Sequence, residues 1–324
     1  MTRQITVIGA TGIQGGSVIR ALLKDSGYSL TAITRNKSSD KAKSLASDGV
    51  RVIEADLDDI ASLQVAFAGT SIIFAATNFF EPFIKYGNEE AIDIETRQGI
   101  NIAKAAAATP TLEHFVWSTL PNAYRISDAR FAIPHYVSKN RIDDFIKADP
   151  ILLQKTTFLW VPTYASNMNY PFYQPFPIPT AGKNRYIQFQ PTPASVQFPM
   201  IGDATINIGL FVRAIIEQPK KTLGGKFVNG ITDIMTAGEM LATWASVRGV
   251  EVEYVQIDKA TYYSLWPQWG KAMNKMHEYL EWAKDRSFSG EDGILSMEDL
   301  GIVGLRDTRT AFAEMSRLDI GRQM

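Results

Sequence analysis

The feature that most constrains this chain is Gly9-Ala10-Thr11-Gly12-Ile13-Gln14-Gly15-Gly16, a glycine-dense turn between two patterned segments. Before it runs a short apolar, β-branched stretch at 5–8, which reads as a buried strand. After it, Val18, Ile19, Leu22 and Leu23 recur at helical spacing. Glycines at 9, 12 and 15 have separate tasks in such a strand–turn–helix unit. The first permits the tight turn, the second lets a pyrophosphate approach the backbone, and the third lets the helix pack close to the sheet. The helix N-terminus then offers unpaired N–H groups and a partial positive charge to an anion. Gly9, Thr11, Gly12, Ile13, Gln14 and Gly15 are therefore the candidate phosphate contacts.

The strand–helix alternation continues. Strands are expected at 30–34, 50–54, 71–76, 115–117 and 157–161, and helices around Leu63 and Phe67, at 88–108 and at 137–148. Buried strands separated by amphipathic helices predict a parallel, doubly wound α/β sheet covered on both faces. With 324 residues the chain is long enough for about two domains. We expect a nucleotide-binding unit at 1–161, able to recruit later segments, and a smaller, mixed α/β substrate or partner region at 162–324. Residues 162–199 hold eight of the 15 prolines, which argues for ordered loop with edge strands rather than helix or central strand. Asp203 is placed to cap a helix to about 218, with further helices expected at 236–247 and 271–285.

Composition narrows the chemistry. Lys plus Arg is 33 against 34 Asp plus Glu, so nothing suggests a basic nucleic-acid-binding surface. There is no cysteine, which excludes disulfides, thiolate-ligated metals and a cysteine nucleophile. The three histidines, His114, His135 and His277, are too scattered for a metal motif. No apolar run reaches the roughly 18 residues of a membrane span, and no signal peptide is evident, so the cytoplasm is expected.

The end of the second strand bears on which dinucleotide fits. An acidic residue there commonly binds the ribose 2′-OH of NAD. This chain has Thr34-Arg35-Asn36-Lys37, with no acid from 30 to 39. Arg35 can make a charge-assisted, bidentate contact to a 2′-phosphate, which points to NADP(H). Asp56 and Leu57, after the third strand, lie where an adenine edge would rest.

These residues, with Ala76-Thr77-Asn78, the run 114–120 beginning His114-Phe115-Val116, His135-Tyr136-Val137-Ser138-Lys139 and the segment 162–167, resemble the NmrA-like proteins. Those are atypical members of the short-chain dehydrogenase/reductase superfamily, with a Rossmann fold. The resemblance spans about 1–240. It implies NADP(H) lying extended over the carboxyl ends of the strands, with Thr77 and Asn78 near the nicotinamide ribose. It implies that Lys139 contacts that ribose and that the loop with Tyr164 and Asn167 borders the nicotinamide.

The resemblance also shows what is missing. Short-chain reductases commonly use Ser, Tyr and Lys, with Tyr-x-x-x-Lys on one helix. Ser118 and Lys139 match, but His135 stands four residues before the lysine. Steps of 4, 7 and 11 from His135 reach Lys139, Ile142 and Ile146, an inward stripe, whereas Tyr136 leads to Asn140, Asp143 and Lys147, a polar, outward one. His135, which titrates near neutrality, or a water held by Lys139, is then the expected proton donor, with Tyr136 within reach.

Two functions follow as expectations. One is reduction of a carbonyl, imine or activated alkene on a hydrophobic small molecule, in a pocket walled by aromatics from 164–198 and by Tyr262, Tyr263, Trp266, Trp269 and Trp282. The other is a non-catalytic NADP(H) sensor that regulates a protein partner such as a transcription factor, in the nucleus as well as the cytoplasm.

Overall fold

A computed structural model describes residues 2–315. Its centre is a seven-stranded sheet, all parallel. Six strands fall where the apolar runs place them: β1 (Arg3–Ile8), β2 (Tyr28–Thr34), β3 (Arg51–Glu54), β4 (Ile72–Ala75), β5 (His114–Thr119) and β6 (Thr156–Trp160). The seventh, Lys226–Asn229, comes from the C-terminal half and pairs with β6. The order Lys226–Asn229, β6, β5, β4, β1, β2, β3 reverses direction between β1 and β4. In such sheets the crevice at that reversal, outside the carboxyl ends of the strands, is where ligands bind.

Both faces are covered. On one face the helix Ile13–Leu22 packs with a second recruit from the C-terminal half, Ala204–Glu217. A Cβ on Gly209 would come within 2.2 Å of the Ser17 carbonyl oxygen, and the Gly209 N–H instead donates to Ser17 Oγ at 2.8 Å. The two helices therefore touch backbone to backbone. Asp203 caps the later helix by accepting from the Thr205 N–H, as its position suggested. On the opposite face lie the helices Ile60–Ala66, Asn88–Ala107 and Pro134–Lys147.

The proline-rich stretch corrects one expectation. Residues 162–199 do contain loop, a 3-10 turn at Ala165–Asn169 and the short strand Gln197–Met200. Arg185–Gln190, however, is the central strand of a three-stranded sheet, parallel to Glu251–Gln256 and antiparallel to Phe176–Pro177. The prolines at 179 and 191 flank this strand and leave its N–H groups free for the ladder.

A second correction concerns the aromatic residues expected to wall a pocket. Of these, Tyr262 is fully buried and Phe172, Tyr173 and Phe198 nearly so, in one cluster that also holds Trp244 and Tyr279. They serve mainly as a second core. Such rings bury large apolar areas, and Tyr186, Val252 and Tyr254 of the three-stranded sheet pack against them. Among the described residues, no helix is long and apolar enough to cross a membrane.

Candidate functional site

The glycine turn sits at the β1 carboxyl end. Gly9 has a φ of +73°, a conformation that glycine adopts without strain. A Cβ on Gly15 would lie 2.4 Å from the Gly9 carbonyl oxygen and 2.7 Å from the Ala10 nitrogen, so only glycine lets this helix start so close to the strand. A Cβ on Gly12 would meet the Gly9 oxygen at 3.2 Å. Gly9 and Gly12 are exposed, Thr11, Ile13 and Gln14 half-buried. The helix that follows has no side-chain cap and no acid in its first turn. Its orphan N–H groups and dipole thus face the crevice uncompensated, which suits a bound phosphate. The loop beyond β6 closes on this turn: Gln14 Nε2 donates to Tyr164 Oη at 2.8 Å, leaving Gln14 Oε1 buried without a partner. Asn167 lies in the 3-10 turn after Tyr164, its N–H bonded to the Tyr164 carbonyl.

At the β2 end, Arg35 is exposed and forked onto Glu81, with Nη1–Oε1 at 2.8 Å and Nη2–Oε2 at 2.9 Å. The Asn36 side chain accepts from the Ser38 N–H and shapes the turn. Asp56 accepts from the Asp58 N–H, while Asp59 caps the following helix. The Leu57 carbonyl receives Asn101 Nδ2 at 2.9 Å.

At the β4 end the geometry is tighter. Asn78 Oδ1 accepts from the Phe80 N–H at 3.1 Å, just ahead of the helix Phe80–Tyr86. Thr77 Oγ1 donates to Glu95 Oε1 at 2.7 Å. Lys139 Nζ donates to Thr77 Oγ1 at 2.5 Å and to the Thr77 carbonyl at 3.3 Å, and stands 3.1 Å from Glu95 Oε1. Ser138 Oγ donates to the other Glu95 oxygen. Glu95 is 0% exposed, and the Lys139 ammonium also sits 5.0 Å over the Trp117 ring. A buried carboxylate with three donors and a buried cation with three acceptors satisfy each other.

Glu95 and Glu81 are not among the sequence-based candidates, and Ser138 figures there only within the 135–139 segment, with no role of its own. A signal for Glu95 existed: it interrupts an otherwise small or apolar buried stripe, Ala91, Gly99, Ile102 and Ala106, on the Asn88–Ala107 helix. Glu81 left none, since an exposed acid in a first helical turn is ordinary.

The catalytic candidates fare unevenly. Ser118 is buried on β5, but strand alternation turns it away from Trp117 and Thr119, which point at the Lys139 helix. Ser118 and Lys139 are thus not brought together. His135 is buried against Phe79, Phe80 and Tyr136, with ring centroids 5.9, 5.4 and 4.9 Å away. Burial, reinforced by the Lys139 charge, pushes its imidazole down to about 3. It is neutral at pH 7, which corrects the expectation of a neutral-range acid; its Nδ1 has no partner.

The outward face assigned to Tyr136 is also corrected. Tyr136, Asn140 and Asp143 are all buried. Asn140 donates to the Leu120 carbonyl, and Asp143 accepts from Trp117 Nε1 and Thr119 Oγ1, each at 2.8 Å. Polar side chains tolerate burial once every group is paired, so polarity did not report exposure here. Burial raises the Tyr136 and Tyr164 hydroxyls above their ordinary range, which makes both weaker acids.

The model of the NmrA-like family matches residues 1–296. The chain belongs to the NmrA-like family. Among its relatives, an NmrA-like family domain-containing protein of Dictyostelium discoideum is 28% identical over 81% of this chain and 83% of its own length. The NmrA-like family domain-containing oxidoreductase hkm9 of Aspergillus hancockii is 27% identical over 79% of this chain and 76% of its own. Among solved structures, the negative transcriptional regulator NmrA in complex with NADP superposes with a TM-score of 0.75 at 19% identity, covering 97% of this chain and 95% of that one. The triphenylmethane reductase of Citrobacter sp. complexed with NADP(H) gives 0.67 at 20% identity, covering 95% and 98%. At these identities the structural likeness establishes the Rossmann-type fold of this NmrA-like chain.

Proposed function

We propose that this NmrA-like chain is an NADP(H)-dependent oxidoreductase that reduces a carbonyl, imine or activated alkene of a hydrophobic small molecule. The observation that carries the reading is the buried Lys139 ammonium, held by Thr77 and Glu95 at the β4 end, across the crevice from the glycine turn. Relatives named as oxidoreductases and neighbours solved with NADP support it. The residues fit such a cofactor: an uncapped helix start for the pyrophosphate, Arg35 for a 2′-phosphate, Thr77, Asn78 and Lys139 for the ribose, and Tyr164 and Asn167 beside the nicotinamide.

When bound, the nicotinamide supplies the hydride that adds to the substrate carbon. To hold a proton-delivering water, or to offset negative charge on the substrate heteroatom, the Lys139 ammonium would exchange its longest contact, the 3.3 Å bond to the Thr77 carbonyl, for that oxygen. With His135 neutral and no tyrosine at 135, water is the proton source best suited to this site. Partly buried Phe80 packs beside His135 and on Trp269, and Trp269 stacks on Tyr170, which gives an apolar edge next to the start of the Pro134–Lys147 helix.

Calorimetric titration with NADPH, NADP, NADH and NAD tests the cofactor assignment. Arg35→Ala is expected to lose about 10- to 100-fold in affinity for the phosphorylated forms only, as befits a charge-assisted phosphate contact. Once a substrate is found, Lys139→Met, paired with Glu95→Gln to remove the stranded charge, should lower turnover by about 100-fold or more. Unchanged turnover would remove Lys139 from the mechanism.

With His135 neutral at pH 7 and no tyrosine four residues before Lys139, a second reading is also favoured, a sensor whose dinucleotide state alters its grip on a protein partner. A solved neighbour described as a negative transcriptional regulator is consistent with that. Its signature is a change of about 5- to 150-fold in partner affinity on adding NADP or NADPH.

A further inference from the structure

Arg35 is a cation placed at the β2 end where a 2′-phosphate would lie, and a carboxylate already holds it. We infer that Glu81 sets the choice between phosphorylated and unphosphorylated dinucleotides by competing with the 2′-phosphate for the Arg35 guanidinium. This rests on the dinucleotide-binding reading above.

The geometry is a two-pronged fork, both terminal nitrogens on both carboxylate oxygens. That is the arrangement by which a guanidinium grips a phosphate, and one fork edge cannot hold both anions at once. A dinucleotide with a bare 2′-OH leaves the pair intact and meets a carboxylate able to accept its hydroxyl proton. A 2′-phosphate must lift Glu81 off Arg35 and then lie beside a freed negative charge, with Asp56 also acting on the arginine. No acid lies within 30–39, so the chain supplies the acid of the 2′ position from the start of the Phe80–Tyr86 helix.

Glu81 is free to play this part. Its side chain is 54% exposed and that of Arg35 69%, so solvent lets the pair open at small cost. Glu81 is not needed to satisfy the start of its helix, where the Phe80 N–H is bonded by Asn78 Oδ1.

The test measures NADP and NAD affinities by calorimetry for the wild type, Glu81→Gln, Glu81→Lys and Arg35→Ala/Glu81→Gln. Glu81→Gln is expected to tighten NADP about 3- to 10-fold, the scale of an exposed bidentate pair plus a removed repulsion, and to leave NAD unchanged or weaker. Glu81→Lys should raise the NADP-to-NAD ratio further. With Arg35 already alanine, Glu81→Gln should lose most of its effect. A ratio unmoved in both single variants overturns the inference, as does an equal gain for both nucleotides, which would be a general charge effect. A wild type that binds neither nucleotide overturns the dinucleotide reading itself, and the inference with it.

Discussion

Glu95→Ala is expected to destabilise the chain by about 3–5 kcal/mol, the cost of stranding a buried charge by removing its partner. Glu95 is fully buried and ties three elements together: Thr77 after β4, Lys139 and Ser138 on the Pro134–Lys147 helix, and its own helix. Without it the Lys139 ammonium keeps only the two Thr77 oxygens. Glu95→Gln should cost less, since an amide fills the same volume and retains one acceptor. Glu95→Leu with Lys139→Met should recover most of the loss, because two apolar groups need no mutual neutralisation. Urea midpoints at unchanged slope report the differences. A loss below about 1 kcal/mol for Glu95→Ala would show that water reaches the lysine and that the pair is not a buried lock.

The second large effect is a loss of stability in mild acid. All three histidines, His114, His135 and His277, are buried, and burial pushes each imidazole down to about 3. Arg3 adds to this at His114 and Lys139 at His135. A folded-state value below the unfolded 6.5 means that the unfolded chain takes up protons that the folded chain refuses. Stability is therefore retained above pH 6.5 and lost as pH falls below it. At pH 5 each histidine removes about 2 kcal/mol, together about 6.

Asp143 works in the opposite sense. Burial pushes its carboxyl up to about 7, so the folded chain takes up a proton between pH 7 and 4 that the unfolded chain does not. That returns between about 2 and 3 kcal/mol at pH 5. The net expectation on going from pH 7.5 to 5 is a loss of about 3 kcal/mol. In Asp143→Asn the compensation disappears and the loss should approach about 6 kcal/mol. Denaturant unfolding at the two pH values checks both. Equal stability at pH 5 and 7.5 in the wild type would mean that the histidines are hydrated or paired in solution.

The sheet was legible because its signals are local. Each of β1 to β6 is a short apolar run whose neighbours in sequence mark its ends, and Gly9, Gly12 and Gly15 carry their backbone requirement with them. The capping of Ala204–Glu217 by Asp203 was legible for the same reason. The Arg185–Gln190 strand was not, because the density of prolines around it masked a proline-free stretch.

At the site the division follows the range of the interaction. The glycine turn, Arg35 and Lys139 can be named from the chain alone, since steric need and fixed charge belong to single residues. Their partners cannot. Glu95 meets Ser138 across 43 residues and Glu81 meets Arg35 across 46, pairings that exist only once the helices are laid on the sheet. The state of His135 is likewise a property of its surroundings. An imidazole that titrates near neutrality in water is neutral among Phe79, Phe80 and Tyr136, because a charge there would be stripped of solvent. Residue identity settled which groups this chain brings to the crevice; burial and cross-chain pairing, which arise only on folding, settled their charge and their occupation.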